Sequence, residues 1–213
     1  MTRNDAEALC ATGRRAVDLG LSPGASGNLS VKSGDLLLAT PSGISLGALD
    51  PQHLAVLDTR TGEPRGSDGP RPTKEVPLHL ALYRRFPNAA AVVHLHSAHA
   101  IAWSCREPWS DVSAIPPLTP YLIMRVGRVP LAPYAAPGTP ELGSSLDTVP
   151  GDFHAVLLAR HGSLAWGRTI DEALDIAVEV EEACRTALLA GVGATPLSPA
   201  EIETLTTRYA TEW

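Results

Sequence analysis

Hydrophobic and polar positions follow two different periods along this chain. Apolar residues recur at helical spacing over 4–20, 73–85 and 169–190, which predicts three amphipathic helices. Short apolar runs bounded by turn residues predict strands at 29–33, 35–40, 54–58 and 89–97, and two more on either side of His161-Gly162. Ser198-Pro199, with Glu201 in the first turn, predicts a further helix near the C-terminus.

Two segments have no such period. Residues 60–72 are rich in proline and glycine and predict an exposed loop. Residues 106–140 are rich in proline and predict irregular structure, with a strand near 129–132. Because helices and strands are intermixed, with no repeat or clear linker, we expect one α/β domain over residues 1–213.

Composition and charge narrow the class of protein. The chain has 213 residues, 44% of them hydrophobic, and a net charge of −6. The acidic balance argues against a nucleic-acid partner, and no apolar run approaches the ~20 residues of a membrane span. The N-terminus lacks the apolar core of a signal peptide. Three widely spaced cysteines favour a reducing, cytoplasmic setting.

Histidines supply the first candidate chemistry. His94 and His96 alternate on one face of a predicted strand, so both imidazoles can reach one divalent metal. His161 leaves another predicted strand and offers a third ligand for an open, catalytic site. The alternative is a strand-end histidine in solvent. His79 and His99 are weaker candidates, for which a polar cap or a packing role is an equal explanation.

Helix starts and tight turns supply the second candidate chemistry, which is the binding of an anion. Thr73-Lys74-Glu75 stands where a helix N-terminus offers free N–H groups to an anion. Ser26-Gly27-Asn28 and Pro41-Ser42-Gly43 are small-residue turns that could cradle a phosphate. Taken singly, each is better explained as ordinary turn or helix-end chemistry.

These signals occur together in a recognisable order. The chain resembles the class II aldolase/adducin family through SGNLS (26–30), TPSG (40–43), PTKE (72–75), HLALYRRFPNAAAVVHLHSAHA (79–100), PYLIM (120–124), APYAAPGT (132–139) and LLARHGSLAWG (157–167). The resemblance implies a three-layer α/β/α sandwich around a mainly antiparallel sheet. It also implies a homotetramer with sites between subunits.

The resemblance also implies roles for individual residues. His94, His96 and His161 correspond to zinc ligands, with Mn²⁺ or Co²⁺ as substitutes, and Glu75 to a catalytic acid/base that also reaches the metal. Tyr121 corresponds to a proton donor for a neighbouring subunit's site. The expected contacts to a phosphorylated substrate are Gly27, Asn28, Ser42, Gly43, Thr73 and Lys74.

One departure points to a branch of the family. The aldolases carry two serines before the glutamate, whereas this chain has Thr73-Lys74, which is most similar to the 3-oxo-tetronate 4-phosphate decarboxylases. That branch implies conversion of a phosphorylated β-keto acid to dihydroxyacetone phosphate and CO₂ through a metal-stabilised enediolate, in sugar-acid catabolism. Alternatives are a fuculose-1-phosphate-type aldolase, a pentulose-phosphate 4-epimerase and an adducin-like assembly module without activity.

Overall fold

A mixed sheet forms the centre of the computed structural model, which describes residues 3–213. In this part of the chain seven strands are ordered β3-β2-β1-β4-β7-β6-β5, and only the β5–β6 pair is parallel. The strands are β1 (Asn28–Ser33), β2 (Leu36–Ala39), β3 (Ala55–Asp58), β4 (Ala91–Leu95), β5 (Leu131–Ala132), β6 (Ala155–Leu158) and β7 (Gly162–Gly167).

Helices cover both faces of this sheet. The α-helices of the described chain are α1 (Arg3–Asp18), α2 (Val76–Arg85), α3 (Ala98–Ser104), α4 (Pro120–Arg125), α5 (Pro140–Ser144), α6 (Ile170–Ala190) and α7 (Pro199–Tyr209). Helices α1, α3, α4 and α6 share one apolar core with the sheet, and α2 and α5 share the other. Helix α7 packs on α4. The predicted three-layer α/β/α sandwich with a mainly antiparallel sheet is confirmed.

Strand β4 lies at the middle of the sheet and divides its side chains between the two cores. Ala91, Val93 and Leu95 face the α6 side, whereas Val92 belongs to the α2 core. Because side chains alternate along a strand, His94 projects toward α2. The most central strand therefore carries an imidazole to the face where α2 begins.

Two sequence predictions of local structure were wrong. Helix α2 begins at Val76, not at residue 73, because Thr73 N–H donates to the Thr40 carbonyl and Pro72 bridges Pro41, which holds this segment extended. The predicted irregular stretch contains α4 and reaches the start of α5. Both helices begin with proline after a threonine, a start signal that the proline-rich composition concealed.

The helices of residues 3–213 include none that combines the length and the apolar character needed to cross a bilayer.

Candidate active site

Four side chains from three parts of the chain meet beside the end of β4. Glu75 immediately precedes α2, His94 lies in β4, His96 follows that strand, and His161 lies in the turn between β6 and β7. Their candidate ligand atoms all lie within 4.8 Å of one another. Glu75 Oε2 is 3.1 Å from His94 Nε2, and Glu75 Oε1 is 3.4 Å from His161 Nε2. His94 Nε2 and His96 Nε2 are 2.9 Å apart.

Two glycines allow the backbone to approach closely at this point. Gly27 and Gly162 both have positive φ. A Cβ on Gly27 would lie 2.9 Å from the His94 carbonyl oxygen, and one on Gly162 would overlap the Leu95 carbonyl oxygen. Any larger residue would therefore push β1 or β7 away from β4. Arg160 also has a positive φ, of 59°, in the turn that presents His161.

The histidine nitrogens fit a divalent metal. His94 Nδ1 donates to the Ser163 carbonyl oxygen at 2.8 Å, so a neutral His94 has the lone pair on Nε2, which faces the cluster. Neither buried ring nitrogen of His161 has a hydrogen-bond partner within residues 3–213. Three imidazoles and a carboxylate form a donor set that suits zinc and its neighbours among the transition metals.

The electrostatics keep Glu75, His96 and His161 in the forms that bind a metal. Burial disfavours a charged Glu75, but the hydrogen bond and charge of His94, the Asn28 amide and the charge of His161 together hold its pKa well below the usual range. Burial, and then the charge of His94, lower the pKa of His161 to about 4; the same two causes, with His161, lower the pKa of His96 to about 4. At neutral pH the site thus combines the Glu75 carboxylate with neutral imidazoles at His96 and His161.

A cleft of about 290 Å³ opens beside Glu75 and His96. Its lining contains every residue predicted to contact the substrate: Gly27, Asn28, Ser42, Gly43, Thr73 and Lys74. All three predicted anion-binding segments line this cleft, and those at 41–43 and 73–75 are held together where Ser42 N–H donates to the Arg71 carbonyl at 2.9 Å. Pro137 and Gly138 also line the cleft, and the sequence alone did not single them out.

Lys74 stands at the edge of this cleft. Its side chain is exposed, and no hydrogen bond or ion pair is recorded for it among the described residues. A Cβ on Gly138 would lie 3.2 Å from Lys74 Cβ, so the 137–138 turn packs closely against the base of the lysine. The ammonium therefore remains available to an anion in the cleft.

Three other candidate residues, Tyr121, His99 and His79, lie outside the metal cluster. Tyr121 on α4 is 55% exposed and does not line this cleft within the chain. His99 Nδ1 is 2.7 Å from Glu181 Oε1, and this carboxylate also accepts from the His99 and Ala100 N–H groups. The Glu181 carboxylate thus caps the start of α3, and the His99 ring binds that carboxylate instead of a metal.

His79 is buried on α2 and does not belong to the metal cluster. Its Nε2 is 2.6 Å from Asn28 Oδ1, and its Nδ1 is 2.7 Å from Ser30 Oγ. Asn28 Nδ2 in turn donates to Glu75 Oε2 at 2.8 Å. Burial lowers the pKa of His79 to about 3, with a smaller effect of His94 in the same direction. Sequence reasoning did not find these contacts, because they join positions some fifty residues apart.

Comparisons with known proteins identify the family to which this chain is similar. The model of the family described as Class II Aldolase and Adducin N-terminal domain matches residues 7–188. A 3-oxo-tetronate 4-phosphate decarboxylase of Escherichia coli O6:H1 is 43% identical over 173 residues, which are 81% of this chain and 80% of the relative. An L-fuculose phosphate aldolase of the same organism is 36% identical over 165 residues, 76% of this chain and 73% of the relative. The crystal structure of YgbL from Escherichia coli is similar with a TM-score of 0.88 at 38% identity, covering 95% of this chain and 98% of that one.

Proposed function

The chain belongs to the class II aldolase and adducin family and its close relatives are lyases, and from this premise we propose that it decarboxylates a 3-oxo-tetronate 4-phosphate to dihydroxyacetone phosphate and CO₂. One observation carries the proposal: the exposed, unpaired Lys74 lies at the same cleft as the Glu75–histidine cluster. Relatives that share 43% and 42% of their residues with this chain carry the name of that activity.

The substrate determines what the site must do. Its carboxylate is attached to a carbon beside a ketone, so cleavage of that carbon–carbon bond releases CO₂ and leaves the bonding electrons on the hydroxyl-bearing carbon. That carbon must then gain one proton to give dihydroxyacetone phosphate. The protein therefore has to accommodate negative charge next to the ketone and deliver one proton.

The metal would be held by the cluster of Glu75, His94, His96 and His161. We propose that it is zinc, with manganese or cobalt as substitutes. Bound there, the metal would supply Lewis acidity toward oxygen atoms on which negative charge develops. The protein residues provide the donor atoms, exclude water from His94, and keep His96 and His161 neutral through burial.

Glu75 is the proposed proton carrier. It is 7% exposed, yet it lines the cleft, so its carboxyl group lies where a bound substrate would be within reach. In the present arrangement its oxygens face His94, His161 and the Asn28 amide, which favour the charged form. Glu75 must therefore take up a proton from solvent when substrate replaces its contacts with His94 and His161, and give that proton to carbon.

The rim of the cleft is the proposed recognition surface. The Ser42 and Thr73 hydroxyls and the Gly43 N–H are offered to a phosphate, and the Lys74 ammonium offers a charge to the phosphate or the carboxylate. A substrate with both a phosphate and a carboxylate needs more positive charge than a phosphorylated ketose does. A lysine beside the glutamate meets that need.

The remaining features of the proposal extend beyond one chain. We propose a cytoplasmic, single-domain protein that assembles as a homotetramer with sites between subunits, in which the exposed Tyr121 faces a neighbouring subunit's site. An aldolase of the fuculose-1-phosphate type is the second candidate, favoured by the 36% identical L-fuculose phosphate aldolase. Both activities use the same metal centre and differ in the leaving group.

One assay distinguishes the two. Enzymatically generated 3-oxo-tetronate 4-phosphate is supplied to the purified protein, and CO₂ and dihydroxyacetone phosphate are followed together, with fuculose 1-phosphate as the comparator. We expect equal amounts of the two products from the keto acid and little turnover of the ketose. Preferential cleavage of fuculose 1-phosphate would establish the aldolase instead.

A further inference from the structure

A chain of buried hydrogen bonds runs from the sheet to Glu75. Tyr83 Oη is 2.9 Å from Ser30 Oγ, Ser30 Oγ is 2.7 Å from His79 Nδ1, and His79 Nε2 is 2.6 Å from Asn28 Oδ1. Asn28 Nδ2 then reaches Glu75 Oε2 at 2.8 Å. The five residues come from β1, from α2 and from the residue before α2. All are at most 7% exposed.

The direction of these bonds is determined by chemistry. A carboxylate only accepts hydrogen bonds, so the Asn28 atom that faces Glu75 must be its NH₂ group, and its oxygen must face His79. His79 Nε2 therefore carries a proton and donates it to that oxygen. In a neutral imidazole the other nitrogen accepts, and the Ser30 hydroxyl is its donor.

Tyr83 completes the arrangement at the far end. Its hydroxyl also lies 3.1 Å from the Ser30 backbone carbonyl, to which it can donate. That bond leaves the Ser30 hydroxyl proton free to point at His79 Nδ1. Every donor in this chain of bonds thus has an acceptor without a water molecule. Reversing the Asn28 amide would place its oxygen against the Glu75 carboxylate and its NH₂ group against the His79 N–H.

We propose that His79 is a positioning residue, which acts through Asn28 to hold the Glu75 carboxyl group in its working orientation, and that Ser30 and Tyr83 fix the His79 tautomer. The consequence for catalysis rests on the proposed role of Glu75. The hydrogen-bond arrangement does not depend on that role. His79 does not line the substrate cleft, so it acts only through another residue.

A pair of near-isosteric substitutions tests the position of the donor. The amide nitrogen of His79→Gln can take the place of Nε2, whereas that of His79→Asn falls short, near Nδ1. We expect His79→Asn to lower kcat roughly 10- to 100-fold with KM nearly unchanged, the usual cost of losing an outer partner of a catalytic group. We expect His79→Gln to recover most of that loss. Equal loss in both variants, or a loss confined to KM, would overturn the proposal.

A double-mutant cycle separates positioning from general stability. If His79 acts through Asn28, adding His79→Asn to Asn28→Ala should cost little further kcat. Additive losses would show that His79 acts by another route. Leu82→Ala, in the buried core of α2 but outside the chain of bonds, is the control and should lower the melting temperature without changing kcat at permissive temperature.

Nitrogen NMR of protein labelled in its histidine side chains provides a test without turnover. We expect His79 to be neutral with the proton on Nε2, and we expect Ser30→Ala to disturb this tautomer. A proton on Nδ1 in the parent protein would overturn the proposal, whichever reaction the enzyme performs. The predicted tautomer together with no turnover of either sugar phosphate would instead refute only the proposed function.

Discussion

The two halves of the candidate site are built differently. The inner half consists of Glu75, His94 and His161, which are at most 8% exposed and lie within 3.4 Å of a neighbouring member of the cluster. The outer half lies at the rim of the cleft, where Ser42 belongs to a turn and Lys74 lies shortly before the start of α2. No side-chain hydrogen bond is recorded for either rim residue in the described part of the chain.

This difference teaches how one fold can serve different substrates. The inner half is held in place by strands of the sheet and by the buried hydrogen bonds that reach Glu75 through Asn28. A change there therefore disturbs several partners at once. A rim residue such as Lys74 can change with little effect on packing. We therefore expect substitutions in the inner half to remove the reaction, and substitutions at the rim to alter substrate preference.

The largest expected effect is removal of the metal ligands. His161→Ala should lower metal content and abolish turnover, because only two imidazoles and a carboxylate would remain at an incomplete site. Metal analysis alongside the decarboxylation assay measures both. His53→Ala, which changes an exposed histidine outside the cluster, is the matched control. Full activity in metal-free, chelator-treated protein would contradict the metal assignment.

The next effect tests the proton carrier. Glu75→Gln is nearly isosteric and keeps an oxygen toward the cluster, but it cannot carry a proton through the cycle. We expect a loss of ~10²–10⁴-fold in kcat with metal still bound. Near-normal turnover would reduce Glu75 to a charge at the start of α2.

At the rim, Lys74→Ser should act on recognition. A hydrogen bond to a charged group contributes about 1.5–3 kcal/mol, so kcat/KM for the keto acid should fall about 10–150-fold at constant metal content. Arg71→Ser, which removes an exposed cation outside the lining of the cleft, should have little effect. If Lys74→Ser decarboxylates as fast as the parent protein, another group recognises the acid.

The pH dependence of folding stability tests the buried residues behind the inner half without substrate. In the folded metal-free protein burial lowers the pKa of His79 to about 3, below the ordinary value of 6.5. Between these values the unfolded chain binds the proton and the folded chain does not, so stability falls as pH falls. This one group contributes about 1.4 kcal/mol per pH unit near pH 5. Denaturant unfolding should show a shallower slope for His79→Gln, and an unchanged slope would contradict the buried neutral state.

The smallest effect is expected at Tyr121. Carbon dioxide leaves without the proton that a departing aldehyde oxygen requires, so Tyr121→Phe should cost only lost contacts, about 0.5–1.5 kcal/mol in kcat/KM. The same assay with both substrates measures it. A loss as large as that of Glu75→Gln would favour the aldolase.

Local sequence patterns predicted much of the fold and few of the hydrogen bonds between distant segments. The strand that carries His94 was predictable, because a run of apolar residues defines it, although β4 ends at Leu95 and His96 lies just beyond it. The late start of α2 was not, since it depends on the bond from Thr73 to Thr40, 33 residues earlier. The short helices α4 and α5 were missed because proline content obscured their threonine–proline starts.

The sequence by itself determined the fold class, the family and the residue types available for a metal, because these follow from periodicity and from motifs read in order. Only the tertiary structure decided that His79 bonds Asn28 instead of joining the metal cluster, and that His99 binds Glu181, which caps α3. The physical reason is that an imidazole's role depends on which groups face its two nitrogens. Those groups come from distant segments that the sheet register brings together.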